Sequence, residues 1–181
     1  MKKLLLTLLL PLSIISSASY GEDLNSLFGI TLYDNAEKYV SSNYIDSNKF
    51  KHDETIDGYF ELTITDKIKI KSPFASYYSI LIDNDNRVHR IYGDEHFDNL
   101  DICQAVRKDL LSRLEKKYQI DFEYWENSYP DFKIYSNYHY NYYKFAIQCR
   151  EWYSDSSIKF QIYVLSQVLL KAIDEFYDAG L

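Results

Sequence analysis

Glycine and proline are scarce in this chain, at 5 and 3 residues. No segment reads as a Gly/Pro/Ser-rich linker and no internal repeat recurs, so the chain is not an array of modules. Long hydrophobic runs are scarce as well. Beyond the N-terminal segment, no apolar stretch approaches the roughly 20 residues that a membrane span needs. Cysteine occurs only at Cys103 and Cys149. Neither follows the N-terminal apolar run, which argues against a lipid-anchored lipoprotein. Positive charge is in deficit too. The formal net charge is −7, and a field of that sign repels phosphate backbones and anionic lipid surfaces. No nucleic-acid partner is expected.

Chemical fingerprints are missing in the same way. The chain has no nucleophile elbow, zinc-protease helix, phosphate loop or dinucleotide fingerprint, so no cofactor is expected. Asp83-Asn84-Asp85-Asn86 looks like the start of a calcium loop. Its fifth and sixth positions need an oxygen donor and Gly, but Arg87 and Val88 stand there. His89, Asp94 and His96 are close in sequence, but a strand and a loop give them no guaranteed convergence, and no metal is expected. The acidic pairs Asp53/Glu54, Asp94/Glu95, Asp121/Glu123 and Asp174/Glu175 carry nothing that separates a catalytic acid from surface charge.

The first residues are more informative. Lys2 and Lys3 precede an apolar run from Leu4 to Ile15, broken by Thr7, Pro11 and Ser13, and Ser16-Ser17-Ala18-Ser19 follows. That is the layout of a cleavable secretory leader. Residues 1–21 are expected to be removed, leaving 22–181 as one globular domain of about 160 residues. Loss of Lys2 and Lys3 takes the mature charge to about −9. After cleavage no stable membrane insertion is expected, and the location is periplasmic or secreted. An exported chain with two cysteines predicts one Cys103–Cys149 bridge. Its loop of about 47 residues makes it worth about 4 kcal/mol in the chain-entropy account.

Residue spacing supplies the elements. Asp34 with Glu37 has capping-box spacing before a short helix that Ser41-Ser42-Asn43 ends. Phe60, Leu62 and Ile64 alternate with Glu61, Thr63 and Thr65, as in a half-buried strand. Ile68 and Ile70 alternate with Lys67, Lys69 and Lys71, read as a solvated or edge strand. Ser76–Ile82 and Arg87–Tyr92 form a hairpin around the Asp/Asn turn. Cys103, Val106, Leu110, Leu114 and Tyr118 line one face of a helix over 100–118, with Arg107 on its polar side and Asp98 or Asn99 as its cap. Further strands are predicted at 122–125, 132–138, 142–152 and 158–164, and Ser166 caps a last helix. Short connections make the sheet antiparallel. The fold class is therefore α+β: a single domain, an antiparallel sheet with helices packed on one face, and one disulfide joining helix to sheet.

Tyrosine is abundant, at 19 residues, together with Ile, Asn, Lys, Asp and Ser. An AT-rich genome writes such a bias, which lowers the weight of any tyrosine cluster. The densest one is Tyr135, Tyr138, His139, Tyr140, Tyr142 and Tyr143, beside a predicted hairpin tip at 139–141. Tyrosine offers large contact area, few rotors and a polar end, so these six are the candidate binding residues. Tyr124, Trp125, Trp152 and Tyr153 are read as sheet-face packing.

Leu27-Phe28-Gly29-Ile30, Ile91-Tyr92-Gly93, Cys103, the run Leu110 to Tyr118, and Cys149 together resemble small exported bacterial proteins of unknown function. The resemblance implies a sheet-plus-helix domain in the cell envelope, and no activity. The expected function is a non-catalytic binding module whose aromatic hairpin or sheet face contacts an envelope protein or a glycan. Two alternatives remain open: an inhibitor of an exported hydrolase, presenting an anchor residue on a rigid loop, and a small secreted hydrolase with an acidic site, where two carboxylates or His89 with Asp94 meet.

Overall fold

The computed structural model describes residues 24–51, 56–68, 71–72 and 75–178. The leader, His52, Lys69 and Ile70 lie outside the described residues. Two short strands, β1 (Ser26–Leu27) and β2 (Ile30–Thr31), pair with each other. Asn35, rather than Asp34, then caps a single 3-10 turn, Ala36–Lys38, by accepting from the Glu37 N–H at 2.8 Å. Asp34 instead accepts from Lys38 and from the Tyr39 hydroxyl. Ser41 begins a helix where the sequence reading ends one. Its side chain caps α1 (Ser42–Asn48), and Ile45 plugs that helix into the core.

Seven strands make the main sheet: β3 (Tyr59–Thr63), β4 (Tyr77–Asp83), β5 (Val88–Phe97), β6 (Glu123–Ser128), β7 (Phe132–Tyr140), β8 (Tyr143–Trp152) and β9 (Ile158–Ser166). Their spatial order is β3-β4-β5-β9-β8-β7-β6, and every neighbouring pair is antiparallel. The sheet is thus two meanders, β3–β5 and β6–β9, joined edge to edge at β5 and β9.

Helix α2 (Leu100–Tyr118) connects the meanders and lies across the first face of the sheet. Asn99 caps it by accepting from the Ile102 N–H at 2.9 Å. Gln119, in a left-handed conformation at φ 54°, ends it. The predicted stripe is the buried one, for Cys103, Val106, Leu110, Leu114 and Tyr118 all pack on the core. That core is the first face itself, where Ile80, Ile91, Phe145, Ile147, Phe160 and Val164 are all fully buried. Cys103 and Cys149 are bonded, with Cα atoms 6.1 Å apart, which ties the first turn of α2 to β8.

Arg107 departs from the polar side predicted for it. It is buried, donates to Asn137 of β7 and to Gln104, and stacks its guanidinium over Tyr124 at 5.3 Å. Helix α3 (Gln167–Asp178) follows β9 directly and leans over one end of the second face, where Leu169 and Ile173 line the same depression as Leu81 and Leu165. Among the described residues, no helix is long and apolar enough to cross a membrane.

Candidate functional site

Alternation along β7 and β8 divides the tyrosine cluster. Tyr143 is buried on the first face, where its hydroxyl accepts from the Leu24 N–H at 2.6 Å. Tyr135 packs against the same core. His139 faces that way too, bonded to the Asp121 carbonyl at 3.0 Å and tilted against Phe122. Tyr138 points to the opposite face, donates to Glu123 at 2.8 Å and carries Lys144 over its ring. Tyr140 and Tyr142 are exposed at the turn. The six residues therefore do not form one surface, because neighbours in a strand point to opposite sides. Of the four rings read as packing, Trp152 contacts Phe132 at 4.8 Å, whereas Tyr124, Trp125 and Tyr153 are largely exposed.

The second face holds a different constellation. Its strands enclose a depression of about 1180 Å³, larger than the 300–1,000 Å³ usual for ligand sites. Cross-strand register sets one row directly across it: Tyr77, Asp94, Gln161, Gln148, Ser136 and Trp125, one from each of six adjacent strands. The centre of this row is polar yet buried, with Asp94 at 4%, Gln148 at 5% and Gln161 at 7% exposure.

Hydrogen bonds run along that row in one direction. Gln148 Nε2 donates to Gln161 Oε1, Gln161 Nε2 donates to the Tyr92 hydroxyl at 2.6 Å, and Tyr92 donates to Asp94 Oδ2 at 2.6 Å. Burial, reinforced by Asp94, holds the Tyr92 phenol far above its ordinary range. Burial also pushes Tyr163 in the neighbouring row up to about 12.

Three cations border the row. Arg90 Nη2 donates to Glu61 at 2.8 Å, and Lys159 reaches Asp94 at 3.3 Å. Arg150 lies over the rings of Phe132 at 4.6 Å and Trp152 at 5.5 Å, and its buried Nε, like that of Arg90, has no hydrogen-bond partner among the described residues. Arg90, Tyr92, Asp94 and His96 alternate along β5, and Lys159, Gln161 and Tyr163 along β9. That signal is visible in the sequence. That the two polar faces are adjacent is not, because β5 and β9 are 60 residues apart and meet only in the sheet.

His89 and Asp94 do not converge. His89 lies under the hairpin, between Asp83 Oδ2 at 3.0 Å and Ser166 Oγ at 2.9 Å, with Tyr33 and Tyr59 edge-on to its ring. Asp94 and His96 line the second-face depression. Among the described residues, no group of three His, Cys, Asp or Glu side chains is placed to hold a metal.

Ser166, His89 and Asp83 have the composition of a hydrolytic triad. Ser166 is fully buried, however, and its Oγ also accepts from the Leu169 N–H at 3.1 Å as the cap of α3. A nucleophile must touch substrate, so the chain of bonds reads as a fastening between helix and hairpin. Asp83 Oδ1 meanwhile accepts from the N–H groups of Asp85 and Arg87, both at 2.9 Å, which organises the turn.

No family of known proteins matches this chain, and neither a curated protein nor a solved structure is significantly similar to it.

Proposed function

We propose that this protein is an exported binding module of the cell envelope, acting without catalysis through the second face of its sheet. The observation that carries this reading is the buried polar row Asp94–Gln161–Gln148 at the floor of an open depression. A sheet face that merely meets water keeps its polar groups exposed. Here they are sheltered, linked to one another and bordered by cations, an arrangement that costs desolvation energy. A bound polar ligand would return that energy by satisfying the donors and acceptors that the row leaves free. The leader layout and the disulfide support export, since such bridges persist in oxidising compartments.

The carboxylates in the depression favour binding over hydrolysis. Glu61 is paired with Arg90 and Asp94 with Lys159, so each is already engaged by a cation, whereas a glycosidase presents two carboxyl groups to the scissile bond. The experiment places a photo-crosslinking side chain at Trp125, on the rim, and separately at Tyr142, the exposed tip, and exposes each variant to envelope fractions. Adducts at position 125 and none at 142 are expected. Adducts confined to 142 would return the binding site to the tyrosine hairpin.

A further inference from the structure

Resting on the binding role proposed above, we infer that the occupant of the second face is an acidic glycan: a chain of sugar hydroxyls laid across the strands, with a carboxylate seated on Arg150. The direction follows from register. The polar row crosses six strands from Tyr77 to Trp125, a path of roughly 24 Å at the usual strand spacing. A peptide lying across a sheet face finds no ladder for its backbone groups, and extended peptides dock on sheet edges for that reason. A glycan has no backbone amides to pair in a ladder, so the crossing direction carries no such penalty.

The chemistry of the floor selects hydroxyls. Gln148 and Gln161 each commit one N–H to the chain of bonds, which leaves each amide a second N–H and lone pairs on its oxygen. A sugar hydroxyl both donates and accepts, so it suits either group. A hydrocarbon body would cover the same groups without replacing their water, leaving buried donors and acceptors unsatisfied. Trp125 and Tyr129, both 38% exposed, stand at the rim and offer ring surface to the C–H faces of a pyranose.

Charge selects the acid. Arg90 and Lys159 already have carboxylate partners. Arg150 has none among the described residues, and the rings of Phe132 and Trp152 support its guanidinium. A planar guanidinium held this way is prepared for bidentate contact with a carboxylate. The depression is thus locally cationic within a chain of net charge −7, so an acidic chain is drawn to this face and repelled elsewhere.

The test is calorimetric titration of the purified protein with galacturonate-, glucuronate- and muramate-containing oligosaccharides, with cello-oligosaccharide as the neutral sugar and polyglutamate as the acidic peptide. Saturable binding of at least one acidic oligosaccharide is expected, weakened about tenfold or more by Arg150→Gln. Arg150→Lys, which keeps charge and fold but loses the fork, should recover only part of it. Gln148→Ala should weaken the acidic and neutral sugars alike. Binding to none of the three acidic sugars, preference for polyglutamate, or indifference to Arg150→Gln in a folded variant would each overturn the assignment. If adducts at position 125 persist while the sugars fail, the ligand class falls and the binding face stands. If both fail, the binding role falls with it.

Discussion

Reduction of the Cys103–Cys149 bridge should remove about 4 kcal/mol of stability. The bridge spans 46 positions, enclosing α2, β6, β7 and most of β8. Closing a loop of that size in the denatured chain accounts for about 4 kcal/mol at room temperature. A domain has only about 5–15 kcal/mol in total, so the reduced protein retains a minority to a majority of its stability, depending on where it starts. At about 2–4 °C per kcal/mol for a chain of this size, Tm falls by roughly 8–16 °C. Both sulfurs are fully buried, so the native bridge resists reductant, and the comparison requires reduction in denaturant followed by refolding. Reduced thiols still fill the space between α2 and β8, so the loss comes mainly from the denatured state. The reduced chain should therefore also show a steeper urea dependence, because its denatured state is less compact. Urea titration of oxidised and reduced protein, with the redox state confirmed by mass, reads both quantities. Equal midpoints for the two forms would refute the reasoning.

Three further outcomes are expected. Gly93→Ala should destabilise by about 1–3 kcal/mol in urea titration through overpacking, since a Cβ there would stand 2.7 Å from the Phe28 ring. Ser166→Ala should cost about 1–2 kcal/mol, read by thermal unfolding, because it strips the cap of α3 and the partner of His89 together. Tyr163, with its phenol pushed up to about 12 in the folded chain and an unfolded value of about 10, keeps its proton longer when folded. Its contribution is therefore complete below pH 10 and lost as pH rises toward 12; Tyr163→Phe should lessen the fall in stability over that window, with Tyr92 still contributing to it, and an unchanged slope in the variant would contradict this.

Much of the fold is legible in local patterns. The stripe Cys103, Val106, Leu110, Leu114, Tyr118 announces a helix with one buried face, and the alternation around Leu62 and Ile162 announces half-buried strands, because burial follows the periods of helix and strand. The helix start at Ser41 is ambiguous in the sequence, since serine both caps helices and interrupts them. Arg107 falls on the polar side by spacing, yet Asn137, 30 residues later, supplies an acceptor that makes its burial tolerable. The tyrosine cluster is contiguous in sequence but not in space, because strand alternation sends Tyr143 inward while Tyr142 stands exposed at the turn.

Composition and periodicity by themselves determined the α+β class, the inward face of α2 and the pairing of the only two cysteines. Those properties depend on neighbours within a turn or two, or on there being no other thiol with which to pair. The polar row across the second face was decided by tertiary structure alone. Gln148 and Gln161 are paired within one hairpin, but Asp94 comes to stand beside Gln161 only where the two meanders meet at β5 and β9. Local pattern sets which face each strand buries, but which strands of the two meanders become neighbours is a property of the assembled sheet.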